Sequence, residues 1–286
     1  MKKILILSLM ICSSFSLIAN QPEEEDPIVK ELLSLDWLSP GTHKLPISHS
    51  SLSVPAGHLV VIGDDARKLS QLTGNGFIDS LEAVTMNDSG SQAVYFCYHD
   101  EGYVSIDDWK EVDPMKMIKS ISESTEKANP EKRKKGINEL HVIGWIQEPT
   151  LDRNTNTVYW SIELQEGDEQ NHTFNSIALR LGRNGFERIV WVGSAPDYEA
   201  FGGELDVMLR AHSFEPGHRY CDYTTGDKVA TYGVATLVAA TVGAKIAKAG
   251  GFAGLLILLK KFGGFIVAGA AALFCKKCKS SKNKGQ

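Results

Sequence analysis

The sequence has no acidic residue before Glu23 and none after Asp227, so its charge is divided unevenly along the chain. Between these positions, 35 acidic residues and 18 lysines and arginines give a net charge of −17. From Lys228 onward, ten lysines and no acid give +10. Such an asymmetry is typical of a chain whose parts lie in different environments. We expect no nucleic-acid partner, because phosphates would repel the acidic part.

The chain is also poor in cysteine and in the motifs that mark catalytic sites. Five cysteines in 286 residues are too few for a disulfide scaffold, and 43% hydrophobic residues exclude fibrous and wholly disordered classes. The sequence contains no Gly-x-Ser-x-Gly, no His-Glu-x-x-His, no P-loop and no Gly-x-Gly-x-x-Gly that opens a helix after a strand. These absences favour a protein without an activated nucleophile or a nucleotide site. The sequence therefore indicates no cofactor.

The first 19 residues are typical of a signal peptide. They combine the basic start Lys2-Lys3, the apolar run from Ile4 to Ile11 and the small residue Ala19. An acidic N-terminal segment follows over 20–34. The alternative, an uncleaved anchor, would have to span the bilayer with fewer apolar residues than the roughly 20 that a helix needs.

The C-terminal part predicts membrane helices at about 229–249 and 252–275, followed by a basic tail over 276–286. Of the 47 residues from Val229 to Cys275, none is acidic and 20 are Gly or Ala. Small residues repeat every fourth position at Ala235, Ala239, Gly243, Ala247 and Gly251, and again at Gly264, Ala268 and Ala272. Such stripes allow close helix packing in lipid, so we expect a helical hairpin or a homo-oligomer.

Two features of this segment disagree with a simple hairpin. Lys260 and Lys261 would lie in the middle of the second span, which leaves open half-embedded segments or one tilted span with an interfacial helix. The basic tail favours a cytoplasmic C-terminus, which requires an odd number of crossings after export. A hairpin gives an even number, and the sequence leaves this alternative open.

Residues 35–224 predict an extracytoplasmic α+β domain with an antiparallel sheet and segregated helices. Strands are predicted at 44–47, 51–54, 59–62, 81–86, 93–98, 141–147, 158–164, 173–181 and 186–192. Asp64-Asp65 and Asp113-Pro114 are typical of helix N-termini, and another helix is predicted from Pro196 to His212. The indoles of Trp109, Trp145, Trp160 and Trp191 are predicted to belong to the core rather than to an aromatic groove.

Several stretches resemble one family of bacterial proteins. They are Gly102 to Val104 running on to Asn129, Leu140 to Trp145 with Glu148-Pro149, Phe214 to Tyr220, and Asp227 to Gly233. The chain is identified from them as a member of the domain of unknown function 2167 family, from about Leu35 to Phe274. The resemblance implies a signal peptide, an extracytoplasmic domain and C-terminal membrane helices, and it brings no catalytic residue. The pair Cys275 and Cys278 departs from the family.

The candidate site residues form two groups. His212, His218 and Cys221 have side chains that bind zinc or copper, but a core histidine and a surface histidine are the favoured explanation, because His212 lies on the apolar face of the predicted helix and His218 follows a Pro-Gly turn. His141 and Glu148 are the candidates for an unrecognised hydrolase. Cys97 and Cys221 are the two cysteines of the exported domain, and a bond between them is left open.

We therefore expect an envelope protein held in a bacterial membrane, the inner one, with its main domain outside the cytoplasm. The favoured function is a non-catalytic binding or interaction module, and the alternative is an envelope hydrolase or metal-binding enzyme. Its expected partners are the lipid bilayer and an envelope protein of unknown identity.

Overall fold

The computed structural model describes residues 27–134, 136–167, 172–194 and 209–242. Within these ranges the chain forms antiparallel sheets with few helices, so the predicted α+β class is confirmed. The helices are α1 (Pro27–Ser34), α2 (Asp64–Leu72), α3 (Pro114–Lys134) and α4 (Val234–Thr241). The strands are β1 (Gly41–Leu45), β2 (Ser50–Val54), β3 (His58–Ile62), β4 (Leu81–Asn87), β5 (Ala93–His99), β6 (Leu140–Asp152), β7 (Thr157–Glu166), β8 (His172–Leu181), β9 (Phe186–Ser194) and β10 (His212–Phe214).

A seven-stranded antiparallel sheet runs in the order β3-β4-β5-β9-β8-β7-β6. Its second half is the predicted meander of four strands, in which each strand pairs with the next one along the chain. The alternation predicted for β7 is confirmed, because Val158, Trp160, Ile162 and Leu164 all belong to one buried cluster. Strands β1, β2 and β10 form a separate, smaller sheet in the order β1-β2-β10.

The two faces of the large sheet are covered differently. Helices α1 and α2 pack over β3–β5, and α3 and α4 pack over β6–β9 on the same face, where Ile177 touches both clusters. The small sheet covers the opposite face, with Leu45 and Leu52 against Phe96 and Trp191. The molecule therefore has three layers, and the sheet face under α3 and α4 is separated from the small sheet.

Helix α3 begins where the sequence predicts and runs on past Asn129-Pro130. The Asp113 carboxylate accepts the N–H groups of Met115 and Lys116, each at 3.1 Å, as an N-cap does. The helix continues through Pro130 to Lys134. Asn129 does not end it, because its side-chain amide pairs with the N–H and the carbonyl of Leu140, at 3.0 and 2.9 Å. This pair fixes the last turns of α3 against β6.

The described part of the predicted first membrane span packs on the domain. The chain bridges Tyr103 in parallel at Val229, and the N–H of Ala235 donates to Asp108. Helix α4 has eight residues, and Val234, Leu237, Val238 and Val242 are buried against the sheet and α3. In the described ranges no helix is long and apolar enough to cross a membrane. The predicted span and the observed helix α4 differ because a short apolar run suits a core helix as well as a lipid-facing one.

Several other predictions fall wholly or partly outside the described residues. They are the signal peptide over 1–19, the remainder of both spans after 242, the basic tail, the pair Cys275 and Cys278, and most of the helix from Pro196. At its end His212 lies in strand β10 and not on a helix. The predicted acidic segment over 20–34 contains α1, whose Leu32 packs in the core.

Candidate functional site

A cavity of about 180 Å³ lies between α3, the C-terminal end of α4 and strands β7, β8 and β9. Much of its wall is apolar, formed by Ile121, Ala128, Ile162, Ile177, Val190 and Val242. An engineered cavity of about 150 Å³ holds one benzene molecule, so this space suits one compact ligand. It is below the roughly 300 Å³ at which sites for drug-sized ligands begin.

Helical and strand periodicity bring the polar lining to this space. On α3, Lys132 follows Ile121, Thr125 and Ala128 at helical spacing and lies on the same face. On the sheet, the contributing residues are Trp160 of β7, Asn175 of β8 and Arg188 of β9. All three lie two positions from apolar residues of the same strand that face the helices, so they share that face of the sheet.

Four polar atoms of these side chains are buried and have no hydrogen-bond partner among the described residues. They are Lys132 Nζ, Trp160 Nε1, Asn175 Oδ1 and Arg188 Nε. Their residues are 9%, 0%, 1% and 6% exposed. A buried polar group without a partner costs about 1–3 kcal/mol, so four around one cavity make an expensive arrangement for a purely structural core.

The cavity is also positively charged. Burial lowers the pKa of Lys132 to about 8, and the nearby Glu166 only partly opposes this shift. Glu166 itself accepts a hydrogen bond from the Asn138 amide at 3.0 Å. Arg188 provides the second cation. Its charge acts on the neighbouring Cys97: burial raises the pKa of that thiol to about 11, and Arg188 partly opposes the rise. Two cationic residues therefore line a largely apolar cavity, and one carboxylate, that of Glu166, lies near Lys132.

This arrangement can bind a compact anion with an apolar body. Three of the four atoms without partners are hydrogen-bond donors, on two cations and an indole, and they match the acceptor oxygens of a carboxylate. The hydroxyl of Thr125 is already used, since it donates to the Ile121 carbonyl at 2.9 Å.

Sequence reasoning placed Trp160 correctly in the core but missed Lys132, Asn175 and Arg188. A local signal was present for two of them. Arg188 lies between Phe186 and Val190 in the alternation of β9, where an apolar residue would be expected. Asn175 interrupts β8 in the same way, two positions before Ile177.

The three candidate metal ligands have different surroundings. His212 is fully buried, with its ring centroid 5.0 Å from that of Phe214, and its pKa is lowered to about 3 by burial. The ring of His218 stacks on His49 at 4.1 Å, and Cys221 is exposed. Within the described ranges, no three His, Cys, Asp or Glu side chains come together in a group that could hold a metal ion.

The possible bond between Cys97 and Cys221 is not formed. Cys97 is buried in β5 and Cys221 is exposed in a short 3-10 helix, Tyr220–Asp222, and both thiols are free. A strand in the middle of the large sheet keeps its inward side chain from a cysteine at the surface.

His141 and Glu148 both lie on β6, the edge strand, and do not form a catalytic pair. The His141 ring contacts two carboxylates, with Nδ1 2.8 Å from Glu126 Oε1 and Nε2 3.7 Å from Glu139 Oε2. The Glu148 carbonyl accepts hydrogen bonds from Gln147 and Thr150. The ring nitrogens of His141 thus contact acids.

A second buried polar cluster lies on the opposite face, under the small sheet. His212 Nε2 is 3.7 Å from Glu187 Oε2, and both side chains are fully buried. The Arg180 guanidinium donates to the His212 carbonyl. Burial raises the pKa of Glu187 well above its usual range, and Glu82 adds to the shift.

Comparison with known proteins gives one family and remote structural similarities. No curated protein matches the sequence. The solution structure of cyanobacterial PsbP from Synechocystis sp. PCC 6803 is 9% identical with a TM-score of 0.41, over 62% of this chain and 93% of that one. A point mutant of protein Mog1 is 13% identical, with a TM-score of 0.32 over 62% and 96% of the two chains. The Ran-binding protein Mog1p of Saccharomyces cerevisiae is 12% identical, with a TM-score of 0.29 over the same shares.

All three TM-scores lie below 0.5. The sequence match is of another kind, because the model of the family "Protein of unknown function (DUF2167)" covers residues 38–271. That is most of the 286 residues and agrees with the resemblance found in the separate stretches. The chain therefore belongs to the DUF2167 family.

Proposed function

We propose that the protein is a non-catalytic binding module that holds a compact organic anion in the cavity between α3, α4 and the large sheet. One observation carries the proposal: Lys132, Trp160 and Arg188 line a single, largely apolar space, and each has a buried donor without a partner among the described residues. A bound carboxylate would accept hydrogen bonds from donors of this set and would neutralise charge that is otherwise buried at a cost.

The shape and lining of the cavity narrow the class of ligand. A bare inorganic anion would satisfy the cations but would leave Ile162, Ile177 and Val190 facing empty space or water. A neutral apolar molecule would fill the space but would leave the cations without partners. An aromatic or branched monocarboxylate meets both requirements within about 180 Å³.

The proposal also places this module in the bacterial envelope. Its support is the sequence alone: the signal peptide over 1–19 and the apolar, acid-free segment that ends in a basic tail. Since residues up to Val242 pack on the domain, 33 residues remain between 243 and 275. Two spans need about 40 residues, so we favour a single tilted span in the inner membrane with the C-terminus in the cytoplasm. Contacts with an envelope protein or a second copy through the small-residue face belong to the same proposal.

The membrane part can be tested with the protein's own thiols. Intact spheroplasts are treated with a maleimide that does not cross membranes, and peptides are then analysed by mass spectrometry. We expect label on the exposed Cys221 and, only after permeabilisation, on Cys278. Label on Cys278 in intact spheroplasts would contradict the single span.

Ligand binding is tested by calorimetric titration of the purified full-length chain in detergent at pH 7. Benzoate is compared with its neutral isostere benzamide, and we expect benzoate to bind at least tenfold more tightly because only the carboxylate pairs with the cations. Lys132→Met should remove most of this difference. Lys127→Met, which removes an exposed lysine of the same helix, should leave it unchanged.

Two results would contradict the proposal. One is equal binding of benzoate and benzamide, or no binding of either. The other is binding of inorganic phosphate as tight as that of benzoate, which would show that the apolar wall plays no part.

A further inference from the structure

We infer that the ligand carries a neutral hydroxyl as well as its carboxylate, and that Asn175 is the residue that selects for it. This inference rests on the proposed anion site and adds to it a second polar group at a defined place. It follows from the one acceptor among the four atoms without partners, Asn175 Oδ1.

The neighbours of Asn175 in the sheet offer no donor to this oxygen. Its Cα pairs with Ile162 on one side and with Val192 on the other, and both are buried apolar residues on the same face. An acceptor held between two aliphatic side chains at 1% exposure needs a partner from outside the sheet. A hydroxyl on a ligand is such a partner.

The register places this acceptor away from the Arg188 end of the cavity. Arg188 pairs with Leu179, which lies four residues from Asn175 along β8, so the two backbone positions are about 13 Å apart at about 3.3 Å per residue. Trp160 pairs with Ile177, between the two positions. The polar atoms therefore line the cavity from end to end, and a ligand that satisfies them has polar groups at separated positions on its body.

The charge of the cavity decides which donor the ligand carries. An ammonium group would also donate to Asn175, but Lys132 and Arg188 line the same cavity and would repel it. A neutral hydroxyl avoids this repulsion. The class that fits is a compact hydroxycarboxylate, with an aromatic ring or a branched chain between its two polar groups.

The test compares benzoate with 2-, 3- and 4-hydroxybenzoate and with 4-(aminomethyl)benzoate, again by calorimetry on the full-length chain in detergent. A neutral hydrogen bond contributes about 0.5–1.5 kcal/mol, so we expect 3- or 4-hydroxybenzoate to bind about three- to tenfold more tightly than benzoate. The 2-hydroxy isomer should gain nothing, because its two polar groups are adjacent. The aminomethyl compound should bind more weakly than benzoate.

The matched variant is Asn175→Leu, which keeps the size of the side chain and removes the acceptor. We expect it to fold, because a leucine between Ile162 and Val192 leaves no polar atom without a partner. It should lose the preference for the hydroxyl, measured as the ratio of the affinities for hydroxybenzoate and benzoate in the same variant. Thr241→Val is the control, since it also lines the cavity but its hydroxyl already donates to the Leu237 carbonyl at 2.9 Å.

The outcomes separate the two proposals. If benzoate binds and no hydroxybenzoate is preferred, or if the preference survives in Asn175→Leu, the inference about Asn175 is wrong and the anion site stands. If benzoate and all its hydroxy derivatives fail to bind, the proposed function is wrong and this inference with it.

Discussion

Replacing Lys132 by methionine should stabilise the protein while removing its ligand binding. Lys132 is 9% exposed, and its ammonium has no hydrogen-bond partner among the described residues. Without a ligand, the folded protein therefore holds a buried charge that no partner stabilises. Methionine has a similar length and needs no partner. A substitution that improves stability and abolishes binding is characteristic of a functional residue, since binding sites often sacrifice stability.

The magnitude follows from the depressed pKa. Lowering the lysine pKa from its usual 10.5 to about 8 corresponds to about 3 kcal/mol against the charged form, at 1.36 kcal/mol for each pH unit. Because water reaches part of the side chain and screens the charge, we expect about half of this free energy in the variant. For a domain of this size, such a gain raises the Tm by about 3–6 °C.

The pH dependence of unfolding tests independently whether Lys132 destabilises the folded protein. Below pH 8 the lysine is protonated in both the folded and the unfolded chain, so the full cost of burying the charge is present. As the pH rises from about 8 to 10.5, the folded state releases its proton first and the cost disappears. The advantage of Lys132→Met should therefore be constant below pH 8 and should vanish above about pH 10.5.

The assay is thermal unfolding of the full-length chain, followed by near-ultraviolet circular dichroism at pH 7 and at pH 10.5. Lys127→Met serves as the control, because that lysine is exposed on the same helix and its removal should change the Tm by less than about 1 °C. A Tm that falls at pH 7 in Lys132→Met would show that the lysine stabilises the empty protein, and the reasoning from its missing partner would be refuted.

Three further predictions follow from the buried groups. Trp160→Phe keeps the ring and removes one donor, so the Kd for benzoate should rise about three- to tenfold in calorimetry; an unchanged Kd would exclude the indole from the site. Glu187→Gln should stabilise the chain progressively above pH 4.5, by up to about 1.4 kcal/mol per pH unit, because the unfolded state releases the Glu187 proton first; parallel Tm profiles from pH 5 to 8 would contradict its raised pKa. Truncation after residue 224 should yield an unfolded product and truncation after 242 a folded one, as judged by circular dichroism, because the four buried residues of the α4 region contribute about 6 kcal/mol or more; a folded shorter product would refute this.

Much of the fold could be predicted from local patterns. The alternation in β7 and the turns between β6 and β9 predict the meander, and Asp113-Pro114 predicts the start of α3. The small sheet is different, because its third strand, β10, comes from a distant part of the chain and has three residues. Such a strand is too short for any periodicity to be visible, so the sequence predicts a helix up to His212 instead.

Helix α4 shows a further limit of sequence reasoning. Its residues are apolar and acid-free, and this composition is equally suitable for lipid and for a protein core. Whether this helix lies in lipid or in the core depends on the surface that it covers. That surface is made by α3 and by strands that are distant in the sequence. Only the folded chain shows that Val234 and Leu237 pack there.

The candidate site could be predicted least well, because its polar residues come from separate elements. Lys132, Asn175 and Arg188 are brought together by the packing of α3 on the sheet, and no short motif contains more than one of them. Each is unremarkable alone, since charged residues are common on helices and strands. Their missing partners become visible only when the surroundings of every side chain are known.

The most direct test of the anion site is the indole N–H signal of Trp160 in the full-length chain labelled with ¹⁵N-tryptophan, followed by NMR during titration with benzoate and assigned with Trp160→Phe. The same spectrum holds two internal controls, because Trp191 Nε1 already donates to Gln92 at 3.1 Å and Trp37 Nε1 to the Leu32 carbonyl at 2.8 Å. We predict that the Trp160 signal moves downfield to saturation as its free donor binds the carboxylate, while the signals of Trp191 and Trp37 stay in place. A Trp160 signal that does not move at saturating benzoate, or that moves no more than the two controls, would contradict the account.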